Sequence, residues 1–135
     1  MNVIKSSLYG KLTTGTALMA KLAGATSVYD AVAPRGVSLP YVVFHWQGGG
    51  DENITPTRFK NVLYTVKGVS ETSAKNAGEI DSEIDALLHG TTLTDVTGWT
   101  NFWCMRETDV DFVEMTPEGQ NIWHQGGTYR IRLNE

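Results

Sequence analysis

A chain of 135 residues, 41% of them apolar and 19% charged, is the size of one domain and can bury a core, which excludes a disordered segment or a membrane-spanning protein. Eleven Lys and Arg stand against fifteen Asp and Glu, for a formal charge of −4, and no four basic residues cluster. Tight electrostatic capture of nucleic acid, which needs concentrated positive charge, is therefore disfavoured.

Val3, Ile4, Leu8 and Leu12 recur at helical spacing and predict a first helix. Lys5 and Lys11 interrupt that stretch, and it has neither a continuous apolar run nor a small-residue cleavage pattern, so it does not read as a signal peptide. After Thr13-Thr14-Gly15, the set Leu18, Met19 and Leu22 predicts a short second helix, with Thr14 as its N-cap and Gly24 as its stop. Val28-Tyr29 then begin an extended segment, and 33–40 cannot be helical but form a structured loop leading into a strand, because Pro34 and Pro40 each push the preceding residue toward extended geometry. The run Tyr41-Val42-Val43-Phe44-His45-Trp46 is β-branched and aromatic, and predicts a strand.

Gly48-Gly49-Gly50 and Pro56 predict a long, mobile, hairpin-like connection over 48–58. Val62, Tyr64 and Val66 alternate with Leu63, Thr65 and Lys67, giving a strand with one clearly apolar face. Ser70 is positioned to cap a helix whose stripe is Ala77, Ile80, Ile84, Leu87 and Leu88, stopped at Gly90. A polar connection over 91–98 leads to strands over 101–113 and 123–133, joined by Thr116-Pro117-Glu118-Gly119-Gln120. In the last strand Tyr129, Ile131 and Leu133 oppose Arg130, Arg132 and Asn134, so one face is buried and the other wet. The predicted fold is α+β: a single domain over 1–135, with an antiparallel sheet of four strands, or slightly more, and helices packed on one face.

Candidate chemistry is sparse. Cys104, between Trp103 and Met105, reads as a small buried hydrophobe, and a lone Cys fits a reducing compartment. His45, His89 and His124 have no metal-ligand spacing; His45 sits on an apolar strand and His89 at a helix C-terminus, where it favours the dipole. No cofactor or metal is expected. Asp109, Asp111 and Glu114 are the only carboxylates that suggest a small hydrolase, but Asp109 and Asp111 share one face of a strand and read as a solvated edge. The glycines 48–50 lack the Lys and Ser/Thr of a phosphate loop, and no Ser has a nucleophile-elbow context. Trp46, Trp99, Trp103 and Trp123 read mainly as sheet packing, with one or two available as interface anchors.

The stretch Val28-Tyr29 … Ala33-Pro34-Arg35-Gly36-Val37-Ser38-Leu39-Pro40-Tyr41-Val42-Val43-Phe44 resembles the signature of the tail-completion, or tail-terminator, proteins of long-tailed bacteriophages. The resemblance continues as apolar patterns through the strand 62–66, the helix 71–89 and the closing Tyr129-Arg130-Ile131-Arg132-Leu133, and departs at Lys67-Gly68 and at the glycine run. It implies a non-enzymatic virion protein, assembled in the host cytoplasm, that forms a homo-oligomeric ring, typically a hexamer, at the head-proximal end of the tail tube. Its partners would be itself, the tube protein and the head–tail connector, with genomic DNA passing through an acidic ring without specific binding. A head-side connector protein is the alternative within the same particle. The loops 48–58 and 115–120 are the expected contact surfaces, and Trp46, Asp51, Glu52, Arg58, Glu118 and Gln120 the candidate contact residues.

Overall fold

The computed structural model describes residues 2–53 and 56–135. Its elements are α1 (Asn2–Thr13), α2 (Thr16–Met19), β1 (Val28–Asp30), β2 (Tyr41–Glu52), β3 (Phe59–Ser70), α3 (Ala74–Leu88), β4 (Thr100–Met115) and β5 (Asn121–Asn134). The five strands form one sheet in the order β1-β2-β3-β5-β4. All neighbours are antiparallel except β1, which runs parallel to β2 through Val28 opposite Val42 and Asp30 opposite Phe44. The α+β architecture follows the sequence pattern; the wholly antiparallel sheet does not, because three residues of β1 are too few to show an alternation.

The helices cover one face. Ile4, Leu8 and Leu12 of α1 and Ile80, Ile84 and Leu88 of α3 are fully buried against Val42, Phe44, Val62, Tyr64, Val66, Tyr129, Ile131 and Leu133. Each such aliphatic side chain contributes about 1.5–3 kcal/mol by leaving water. Cys104 lies in this core, where burial pushes its thiol up to about 12. The opposite face has no helical layer among the described residues and carries a smaller cluster of Val43, Val69 and Ile122 with Tyr29, Leu39 and Tyr41 beside it. No helix among the described residues is long and apolar enough to cross a membrane.

Helix ends differ from the sequence expectation for local reasons. β3 continues to Ser70, so α3 starts later, and Ser73 is its N-cap, its Oγ accepting from the Asn76 N–H at 3.0 Å. Ser70 Oγ instead accepts from the Thr72 N–H and donates to Asn76 Oδ1. The Thr14 hydroxyl turns back to the Gly10 carbonyl at 2.9 Å, closing α1; Gly15 takes the N-cap position of α2 without a side-chain bond. α2 is a single turn that ends at Met19, well before Gly24.

The glycine run is not a loop. β2 continues through Gly48, Gly49 and Gly50 to Glu52, paired residue by residue with Leu63, Val62, Asn61 and Phe59, after a bulge at Gln47. Gly49 adopts φ 100°, and a Cβ there would stand 2.2 Å from the Asn61 carbonyl oxygen. Pairing needs only backbone, so glycine is what allows the bulged strand to rejoin its partner. The expected connection over 48–58 thus shrinks to the residues after Glu52, and Ile54 and Thr55 within it lie outside the described residues.

Candidate functional site

The six candidate contact residues do not form one surface. The register sets Glu52 opposite Phe59 and Phe59 opposite Asn134, at one end of the strands, whereas Glu118 and Gln120 lie in the β4–β5 turn at the other. The fourteen residues of β5 separate those ends by roughly 45 Å at ~3.3 Å per residue. Most of the six are already engaged within the chain. Asp51 is bonded to Lys60 and lies 3.6 Å from Arg58 Nε, and the Lys60 bond holds its carboxyl below the usual range. Glu52 is 3.4 Å from Arg132, and Gln120 donates to Glu71 at 2.8 Å. Trp46 stands edge-on to Tyr64 at 5.7 Å and keeps 40% of its surface exposed; Glu118 is exposed.

The exposed apolar surface lies elsewhere. Of the eight large hydrophobic side chains exposed among the described residues, five (Phe102, Trp103, Phe112, Val113 and Met115) belong to β4, the outermost strand. The other three, Tyr9, Val32 and Trp46, lie on α1, just after β1 and on β2, toward the opposite edge. An edge strand of sixteen residues is long for a protein that must avoid pairing with others.

The two halves of that edge are treated differently. Near the start, the α3–β4 connection covers the backbone: the Gly90 N–H donates to the Cys104 carbonyl at 2.8 Å, and His89 Nδ1 accepts from the Arg106 N–H at 3.1 Å. His89 therefore uses a ring lone pair at the helix end. From Glu107 to Met115 no backbone group outside the β5 pairing meets this strand among the described residues. Antiparallel pairing turns every second residue's N–H and C=O outward there.

A bulge at Glu107 divides the halves, and Arg106 anchors the strand just before it. Its guanidinium makes a two-pronged pair with Asp81 of α3 at 2.7 and 2.9 Å, and donates to the Gly126 carbonyl at 2.7 Å and to Asp109 at 2.9 Å. Tyr129 Oη receives a further bond at 3.3 Å and itself donates to Asp85 at 2.9 Å. The Asp81 bond raises the arginine further and holds it as a cation, while burial pushes the Tyr129 phenol up. Gly127 is what lets the side chain lie across β5, since a Cβ there would meet Arg106 Nε at 2.5 Å.

Beyond the bulge the strand sorts its side chains by face. Asp109, Asp111, Val113 and Met115 share the helix side with Arg106, while Thr108, Val110, Phe112 and Glu114 share the open side with Thr128 and His124. The carboxylates of a hypothetical hydrolase are thus divided between two faces and do not converge. Glu114 instead accepts from His124 Nε2 at 2.6 Å, and the imidazole stacks on Phe112 at 4.3 Å with Lys67 above that ring at 4.8 Å. Burial holds His124 below its ordinary value against the opposing Glu114 bond, and burial also lowers Lys67.

Comparison with solved structures finds this fold again. The chain is similar to one from a structure described as the virion of a native gene transfer agent (GTA) particle, with a TM-score of 0.77 over 97% of this chain and 94% of that one. The two are 16% identical, so the likeness establishes the shared fold. No family model matches the sequence, and no curated protein is significantly similar to it.

Proposed function

We propose that this chain is a non-enzymatic structural protein of a phage-like particle, and that it closes the head-proximal end of a tail tube as a ring. The observation that carries the proposal is the match of nearly its whole length to a chain of a virion particle, together with the tail-terminator signature over 28–44. The layout suits a protein that must meet two different partners. Chemically distinct ends of the strands, the Asp51, Glu52 and Arg58 cluster and the 116–120 turn, lie far enough apart for one to face the tube and the other the connector. The sheet edges between them are left for contacts around the ring. Ring size in this proposal is six, and DNA crosses the lumen without sequence-specific contacts, in keeping with the acidic balance of the chain.

The test is polymerisation of purified tube protein with and without this chain, followed by electron microscopy. A ring at one end of each tube and arrested growth are the expected results. Tubes of unchanged length with bare ends overturn the proposal, and binding to portal or connector assemblies in preference to tubes transfers the chain to the head side of the joint.

A further inference from the structure

The open half of β4 presents a defined row of backbone groups. The Thr108 N–H donates to Thr128 Oγ1 of β5 at 3.2 Å, and the Thr116 N–H donates to the Gln120 carbonyl at 2.8 Å. At both ends of this stretch the even-numbered residues therefore turn their backbone toward β5, and no register shift intervenes. Asp109, Asp111, Val113 and Met115 accordingly turn their N–H and C=O groups away from the sheet. No other backbone group among the described residues meets them. On the other side of the sheet β1 has three residues, and β2 beyond it is interrupted by the bulge at Gln47 and the glycine run, so neither offers a comparable row.

The side chains along this row are chemically divided. Asp109 and Asp111 are exposed, and residues 107–120 include no Lys or Arg to neutralise them. Arg106, the nearest cation in sequence, is gripped by Asp81 through both terminal nitrogens, and only its Nε reaches Asp109. Farther along, Val113 and Met115 are 54% and 71% exposed on the same helix side. The cover that Gly90 and His89 give the strand ends at Arg106, before the row begins.

We infer that this half of β4 receives an added strand from another protein: an extended segment that is basic where it passes Asp109 and Asp111 and apolar where it passes Val113 and Met115. Main-chain bonds to the outward N–H and C=O groups supply the attachment, and alternate side chains supply the choice of partner. Running antiparallel to β4, the segment reads apolar, apolar, basic, basic at its helix-side positions. The inference concerns the chain by itself and does not rest on the ring proposal.

The probe is a capped synthetic peptide as long as the 109–115 stretch, with Val, Val, Lys and Lys at the helix-side positions and Thr between them. It is titrated into the full chain and followed by NMR. Saturable shifts and slowed solvent exchange at the amides of Asp109, Asp111, Val113 and Met115 are the expected result. Replacing both Lys of the peptide with Glu should weaken binding at least about tenfold, the scale of two reversed cross-strand charge pairs. Asp109→Lys together with Asp111→Lys should invert that preference. Val113→Pro removes one outward N–H where an edge strand tolerates proline, so circular dichroism should match the parent while binding is lost. No shifts at these amides, equal binding of the two peptides, or undiminished binding by Val113→Pro overturns the inference. So does protection of the same amides in the concentrated chain without peptide, which gives the edge to a second copy. The tube-length assay reads the ring proposal separately: a chain that caps tubes and ignores both peptides keeps that proposal and loses this one.

Discussion

Replacing Arg106 with Met removes the guanidinium while keeping most of the stem, and leaves Asp81 without its main partner. Arg106 and Asp81 side chains are each only 16% exposed, so this pair is far from a solvated surface bridge. Hydrogen bonds to charged groups are worth about 1.5–3 kcal/mol each, and breaking a well-buried pair costs about 3–5 kcal/mol. For a pair of intermediate burial with two direct bonds, a loss of about 3 kcal/mol is the appropriate scale. With an unfolding entropy near 2.1 cal/mol/K per residue, 135 residues convert that to a fall in Tm of about 10 °C. Denaturant titration and calorimetry measure both numbers. Asp81→Asn should cost nearly as much as Arg106→Met, and the double variant little more than either, because each single change already breaks the same clasp. Asp109→Asn should change stability by less than about 0.5 kcal/mol, since that carboxylate is 84% exposed. Arg106→Met costing under about 1 kcal/mol, or Asp109→Asn matching Asp81→Asn, would refute the assignment of the clasp as the α3–β4 fastening.

Two further outcomes follow from the geometry. Gly49→Ala forces a Cβ against the Asn61 carbonyl at a φ that L residues avoid, so it should lower stability by about 1–3 kcal/mol in urea titration, whereas Gly50→Ala, with open space around it, should cost about 0.5–1 kcal/mol less than that or nothing. Burial keeps His124 from protonating in the folded chain at its ordinary value of 6.5, while the unfolded chain takes up that proton; stability is then fully present above about pH 7 and declines as pH falls through that value, and His124→Gln should flatten the decline in the denaturation midpoint measured between pH 7.5 and about 5.

What the sequence shows well is what repeats within a few residues. The stripe of α3 and the alternation of β3 and β5 are local patterns, and they fold as their periods require. Gly48, Gly49 and Gly50 mislead because glycine marks loops by default, while here pairing with Asn61 and Val62 specifies a strand that needs no side chains. The Arg106 clasp is invisible along the chain, since Asp81 is 25 residues away; its trace is only Asp81 and Asp85 one turn apart on the wet side of α3, and one arginine among the acids of β4. The expected contact residues lie in or beside the expected loops, and the structure binds Asp51, Glu52 and Gln120 into pairs with their own chain. The exposed edge leaves a signal in the sequence that points to burial. Val110 and Phe112 alternate with Asp109 and Asp111 as a strand with one buried face would, but the sheet face they occupy has no layer of helices to bury it.

That mismatch between an apolar pattern and an absent covering layer links the fold to assembly. A monomer with a nine-residue open strand edge invites indiscriminate pairing, and natural sheets blunt such edges with charge, bulges or cover. Here cover protects the first half through Gly90 and His89, and a bulge at Glu107 separates it from the second. The second half keeps its backbone open but is lined with Asp109, Asp111 and Glu114, so two such edges repel each other. The acids thereby disfavour the symmetric pair of two β4 strands, which would end as a closed dimer. Arg106 belongs to the same device, because its grip on Asp81 fixes the strand to α3 immediately before the open half begins and so sets the direction in which the edge is presented.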